Sequence, residues 1–201
     1  GKLDFMGTQS KTDVDSVLKS RRDTQVIKFT TSNWGKFWFR TDKAPWNNQK
    51  LRQAFSVAMD RQAEIDTLYN GEGRPLGPMQ PFPGWALPVE KLGEGSKYYK
   101  HDIKYAKQLL AEAGYPDGVE LPFITTSRQG FIDRVLVYNG HLLKAVIKLK
   151  IQLLDYAEWL ATAYVGKYEG ASVGYGATGG ADAGEFLWLA YHPASEARNN
   201  S

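Results

Sequence analysis

Hydrophobic positions along the chain follow two rhythms. Leu51, Phe55 and Ala58 recur at i, i+4, i+7, and Ile103, Ala106, Leu110 and Ala113 keep a similar period further on. That is the spacing of one face of an α-helix. Phe131, Val135, Tyr138, Leu142 and Val146 draw a longer stripe, which predicts a helix from Arg128 to about Ile147. Val14, Val17 and Leu18 predict a short helix over Thr12 to Lys19, with Thr12 as its cap. Ile65, Leu68 and Tyr69 predict another, opening at Asp60 and stopping at Asn70-Gly71. Asn47 or Asn48 and Asp102 stand where the helices of Leu51 and Ile103 need an N-cap. Tyr156 to Val165 and Glu185 to Tyr191 complete the predicted helices.

The second rhythm is shorter. Leu3 to Met6, Val26 to Thr30, Trp34 to Arg40, Leu121 to Thr125, Leu149 to Leu154 and Ala171 to Tyr175 are brief runs rich in apolar, β-branched or aromatic residues, and read as strands. Gly71 to Gly95 holds five of the nine prolines. It is expected to be irregular, with Phe82 and Trp85 pinning it to the body. Tyr115-Pro116-Asp117-Gly118 is a turn. Strands alternate with helices in the second half, which predicts an α/β fold of mixed α+β character: a mixed β-sheet flanked by helices. No internal repeat and no low-complexity linker divides residues 1–201, so one domain is expected.

Composition changes this picture mainly by exclusion. With 42% hydrophobic and 23% charged residues the chain is an ordinary globular sequence. The net charge of +3 is too small, and Lys and Arg too scattered, to imply nucleic acid. No cysteine is present, which removes disulfides, Cys-ligated zinc, iron–sulfur clusters and thiol nucleophiles. Apolar runs fall far short of a bilayer span. The opening Gly1-Lys2-Leu3-Asp4 has neither a methionine nor a basic-then-apolar leader, and is read as a processed chain or an excised fragment.

Little in the residues points to catalysis. His101, His141 and His192 are too far apart in sequence for a helical metal pair, so no metal and no cofactor is expected. Asp133, Asp155, Glu158 and Asp182 have no local partner that would make an acid/base couple. Gly174, Gly176 and Gly179 match the G-x-G-x-x-G spacing, but a dinucleotide unit also needs a second strand and an acid about 20 residues on. A small nucleotide-dependent reductase is therefore the weaker reading. A glycine-rich loop that lets a ligand approach the backbone is the stronger one. Among the aromatics, Trp38 and Trp159 are expected in the core. Trp34, Trp85 and Tyr175 flank loops and are candidates for a cleft.

Two blocks carry a resemblance. Ala44-Pro45-Trp46-Asn47, Leu51-Arg52-Gln53-Ala54 and Ala58-Met59-Asp60-Arg61 form the first, followed by Asn70-Gly71-Glu72-Gly73-Arg74-Pro75-Leu76-Gly77-Pro78. The second runs from Tyr99 through Lys107-Gln108-Leu109-Leu110-Ala111-Glu112-Ala113-Gly114-Tyr115 to Gly118. In this order and spacing they resemble the signature of the dipeptide/oligopeptide-type, family 5 solute-binding proteins of ABC importers. Gly1-Lys2-Leu3-Asp4 also looks like that family's lobe crossover.

The resemblance implies a fold of two lobes closing on a ligand, each a type II periplasmic-binding-protein-like unit. Residues 1–201 would be the second lobe alone, cut at both crossovers. It implies no enzyme, a monomer, a missing first lobe of the same protein, an ABC permease as partner, and a peptide or other small-molecule ligand. It implies a periplasmic or extracellular location, lipid-anchored in a Gram-positive cell. Arg128 matches the arginine that binds a peptide carboxylate in dipeptide binders. Tyr175 stands where tryptophan is usual in the loop that supplies an amine-binding aspartate. Thr178 takes that place if the loop aligns without a gap, Asp182 if the loop is rearranged. The expected ligand-binding set is Arg128, Tyr175, Gly176, Thr178, Asp182, Trp34 and Trp85. Relatives that import oligosaccharides, opines or metal chelates share the scaffold and keep a non-peptide solute open.

Overall fold

The computed structural model describes residues 7, 11–29, 34–79, 86–176 and 183–192. Among the described residues four strands make one sheet in the order β1-β4-β2-β3. They are β1 (Trp34–Phe39), β2 (Val119–Thr126), β3 (Ile147–Leu154) and β4 (Ala171–Gly176). β2 runs parallel to both β3 and β4, while β1 pairs antiparallel with β4. The sheet is therefore mixed, as the alternation of periods predicts.

Each face of the sheet is covered by its own helices. On one face Phe37, Leu121, Phe123, Ile147, Leu149, Ala171 and Val173 meet the apolar stripes of α2 (Gln49–Ala58), α4 (Ile103–Glu112) and α5 (Gln129–Lys144). Phe37 lies edge-on to Phe55 and Tyr138, with ring centroids 5.4 Å apart in both cases. On the other face Trp38, Ile124 and Leu154 pack with Trp159 and Ala163, around α6 (Tyr156–Thr162). Trp38 and Trp159 are core residues, 3% and 1% exposed.

The caps follow the sequence. Asn48 accepts from the backbone N–H groups of Lys50 and Leu51 at the start of α2. Asp60 caps α3 (Arg61–Tyr69), Asp102 caps α4, and Asp155 caps α6. Asn48 also donates from Nδ2 to the carbonyl of Ala113, 3.0 Å away, tying the start of α2 to the end of α4. Asn48→Ala is expected to cost about 1–2 kcal/mol in urea unfolding. Asn48→Asp keeps the cap acceptor but loses the donor to Ala113 and sets a carboxylate oxygen against that carbonyl, so it should recover only part of the loss.

Several elements differ from the sequence expectation. Residues 26–29 form no strand; Ile27 and Phe29 are 79% and 73% exposed, and no strand among the described residues offers them a ladder. α5 ends at Lys144, not Ile147: Val146 turns left-handed (φ 57°), and its carbonyl accepts from Val119 as β3 begins. α6 stops at Thr162, short of Val165, where the Thr162 hydroxyl donates back to the carbonyl of Glu158. α1 (Lys11–Ser20) starts before Thr12, which is therefore inside the helix and not its cap. The proline-rich stretch leads into two short 3-10 helices, Val89–Lys91 and Gly93–Tyr99. α7 (Ala183–Tyr191) follows β4. Leu3 to Met6, Phe82 and the sequence's Trp85 pin lie outside the described residues.

Candidate functional site

Parallel pairing brings the C-terminal ends of β2, β3 and β4 to one edge of the sheet. The antiparallel register Trp34↔Gly176 adds the first residue of β1 to it. The connections at this edge diverge: β2 leads into α5 on one face, and the neighbouring β3 leads into α6 on the other. Adjacent strands whose connections part to opposite faces leave a crevice beyond their carboxyl ends, the place where open α/β sheets take ligands.

Arg128 stands at that crevice. It occupies the cap position of α5 with extended backbone, two residues past the end of β2, and its backbone N–H lies 3.5 Å from the Thr126 hydroxyl. Its side chain is exposed, and its Cζ sits over the ring of Tyr156, 3.4 Å from the centroid. Among the described residues no carboxylate pairs with it. Asp133 instead accepts from Gln129 Nε2 at 2.7 Å, and Asp155 is occupied with its cap. Among the described residues the in-plane donors of this guanidinium meet no carboxylate, and a planar fork of that kind matches one in shape.

Tyr156 is the first residue of α6, directly beyond β3. It stacks on Trp159 (5.9 Å, 13°), which stacks in turn on Trp38 (5.5 Å, 20°). Trp159 Nε1 donates to the Ser172 hydroxyl on β4, which donates to the carbonyl of Ile124 on β2. Phe131 closes the side of the stack, edge-on to Trp159 at 5.2 Å. At the far end Lys36 Nζ lies 5.6 Å from the Trp38 ring, and burial pushes its ammonium down to about 8. The sequence reading missed Tyr156. The available signal was its place two residues past a strand end next to the one that delivers Arg128, legible only once β2 and β3 are known to be neighbours.

Of the other expected site residues, the backbone of Trp34, Tyr175 and Gly176 runs along this same edge. Thr178, Asp182 and Trp85 lie outside the described residues. His101 and His141, remote in sequence, bring their rings to 5.7 Å. They sit toward the other end of α5, roughly 20 Å of helix from Arg128. Among the described residues no group of three or more His, Cys, Asp or Glu could hold a metal ion, and no helix is long and apolar enough to cross a membrane.

Residues 1–198 match the family model of the bacterial extracellular solute-binding proteins, family 5 Middle. The heme-binding protein A of Haemophilus influenzae is 37% identical over 106 residues, covering 53% of this chain and 18% of that protein. The dipeptide-binding protein of Escherichia coli K12 is 23% identical over 192 residues, 91% of this chain and 34% of that protein. Among solved structures, the PBP AgaA from A. tumefaciens R10, in complex with agropinic acid, superposes with a TM-score of 0.70 at 31% identity, over 84% of this chain and 34% of that one. The chain thus spans between about a fifth and a third of the length of these relatives.

Proposed function

We propose that this chain, which belongs to the bacterial extracellular solute-binding proteins of family 5, forms one ligand-contacting lobe of a two-lobed receptor that delivers a small organic acid, a peptide or an opine-like solute, to an ABC permease. The observation that carries the reading is Arg128: an exposed guanidinium, free of carboxylates among the described residues, held at the crevice beyond the strand ends. A peptide C-terminus and an opine acid both offer the planar pair of oxygens that such a fork binds. AgaA with agropinic acid and the dipeptide-binding relative support this solute class. The glycines from Gly174 to Gly180 and the residues Tyr175, Thr178 and Asp182 would meet the rest of the solute, with Trp34 and Trp85 as stacking walls.

In this reading the missing lobe covers the crevice, the receptor works outside the cytoplasm as a monomer, and it performs no catalytic turnover. Calorimetry on the intact protein with free dipeptides, their C-terminal amides and agropinic acid tests it. Arg128→Ala is expected to weaken binding of the free acid by about 1.5–3 kcal/mol, roughly 10- to 150-fold in Kd. The amides should bind about as weakly as the variant binds the acid. Equal binding of acid and amide, or an unaltered Kd in Arg128→Ala, would sink the proposal.

A further inference from the structure

We infer that Tyr156 is the positioning residue for Arg128, and that an aromatic pedestal tied to all four strands sets the plane in which the arginine offers its donors. The inference rests on the reading of Arg128 as the ligand's acid-binding group. A Cζ only 3.4 Å from the ring centroid favours a guanidinium lying flat on the ring, since an upright one would press its nitrogen atoms inside van der Waals contact with the ring carbons. The N–H groups then point sideways, in a plane parallel to Tyr156.

The ring beneath cannot drift. It stacks on Trp159, whose indole N–H is fixed through Ser172 on β4 to the carbonyl of Ile124 on β2. Trp159 rests in turn on Trp38 of β1, and α6 itself hangs from the end of β3. A long side chain in solvent normally samples many rotamers and loses that freedom on binding. A cation held over an aromatic face is already restrained. The pedestal therefore presents a preformed fork, and the solute class it selects is an acid that brings both carboxylate oxygens edge-on into one plane.

The stack can be read without any solute. Phenylglyoxal labels arginines, and peptide mass spectrometry of the intact protein reports the rate at Arg128 against that at exposed Arg22. Tyr156→Phe keeps the ring and is expected to label Arg128 at the wild-type rate. Tyr156→Leu releases the guanidinium and should raise the Arg128 rate about two- to fivefold, with Arg22 unchanged. Tyr156→Met keeps an apolar contact with Trp159 but no ring, and is expected to behave as Tyr156→Leu. An unchanged Arg128 rate in a folded ring-less variant, or Tyr156→Phe behaving like Tyr156→Leu, overturns the inference. Titration with alanyl-phenylalanine separates the two levels. Lost binding in Arg128→Ala with unaltered labelling in Tyr156→Leu removes the pedestal alone. Unaltered binding in Arg128→Ala removes the ligand reading beneath it.

Discussion

Glu64→Ala is expected to destabilise the fold by about 3–5 kcal/mol, because it leaves the Arg134 guanidinium buried without its counter-charge. Glu64 and Arg134 are each 7% exposed, and Arg134 Nε donates to Glu64 Oε1 at 2.5 Å. Tyr138 donates its hydroxyl to the other oxygen of Glu64, and Arg134 Nη2 lies 3.1 Å from the Tyr69 hydroxyl. Burial, reinforced by the Glu64 carboxylate, pushes the Tyr138 phenol far up, so it remains a donor at any physiological pH. The guanidinium reaches across to Gly35 on β1, where a Cβ would collide with it. One carboxylate thus joins α3, α5 and the first strand. At about 2–4 °C of Tm per kcal/mol for a domain of this size, the loss should appear as a fall of roughly 10 °C. The double variant Glu64→Met with Arg134→Leu removes both charges and should recover much of it. A single variant that unfolds within 1 kcal/mol of wild type would show that the pair carries no such weight.

That network also marks what the sequence could not convey. Local signals were legible: the caps at Asn48, Asp60 and Asp102, the stripe of Val135, Tyr138 and Leu142, and the strand of Trp34 to Phe39 each rest on residues a few positions apart. Glu64 shares a helix with Ile65, Leu68 and Tyr69 and reads as a solvated charge until Arg134, 70 residues on, is folded over it. Tyr156 was invisible for the same reason, since its meaning lies in the neighbouring strand end. The described part of the expected Val26 to Thr30 strand, residues 26–29, failed in the opposite sense: strand-like composition is realised only where a ladder partner exists. Arg128 was reached through a resemblance; the structure adds that it is exposed at the sheet edge, with no carboxylate paired to it among the described residues. The loop of Thr178 and Asp182, on which the choice between a peptide and a non-peptide solute turns, lies outside the described residues.

Gly170→Ala is expected to be comparably damaging, through backbone rather than charge. Gly170 holds φ at +87°, where a side chain costs of order 1–3 kcal/mol. A Cβ there would also run into the carbonyl of Pro122 and lie 2.8 Å from its Cγ. Pro122 is inside β2, one residue before the first bridge to β4, Phe123↔Ala171. The carbonyl of Gly170 accepts from the N–H of Arg40, just past β1. Relief of the clash must therefore push β4 off β2, off the end of β1, or both. The adjoining β2–β4 pairs, Phe123 with Ala171 and Ile124 with Ser172, are buried, so the displacement carries the cost of a mispacked core, about 1–3 kcal/mol in addition. The sum is about 2–6 kcal/mol, measurable by urea unfolding. The shift should also reach the crevice, because β4 carries Ser172, the hydroxyl that fixes Trp159 and so the ring under Arg128. In Gly170→Ala that still folds, phenylglyoxal labelling at Arg128 is expected to rise toward the Tyr156→Leu rate. Wild-type stability in Gly170→Ala would mean that β4 does not need this close approach to β2. Wild-type labelling in a destabilised variant would mean that the pedestal tolerates a displaced strand.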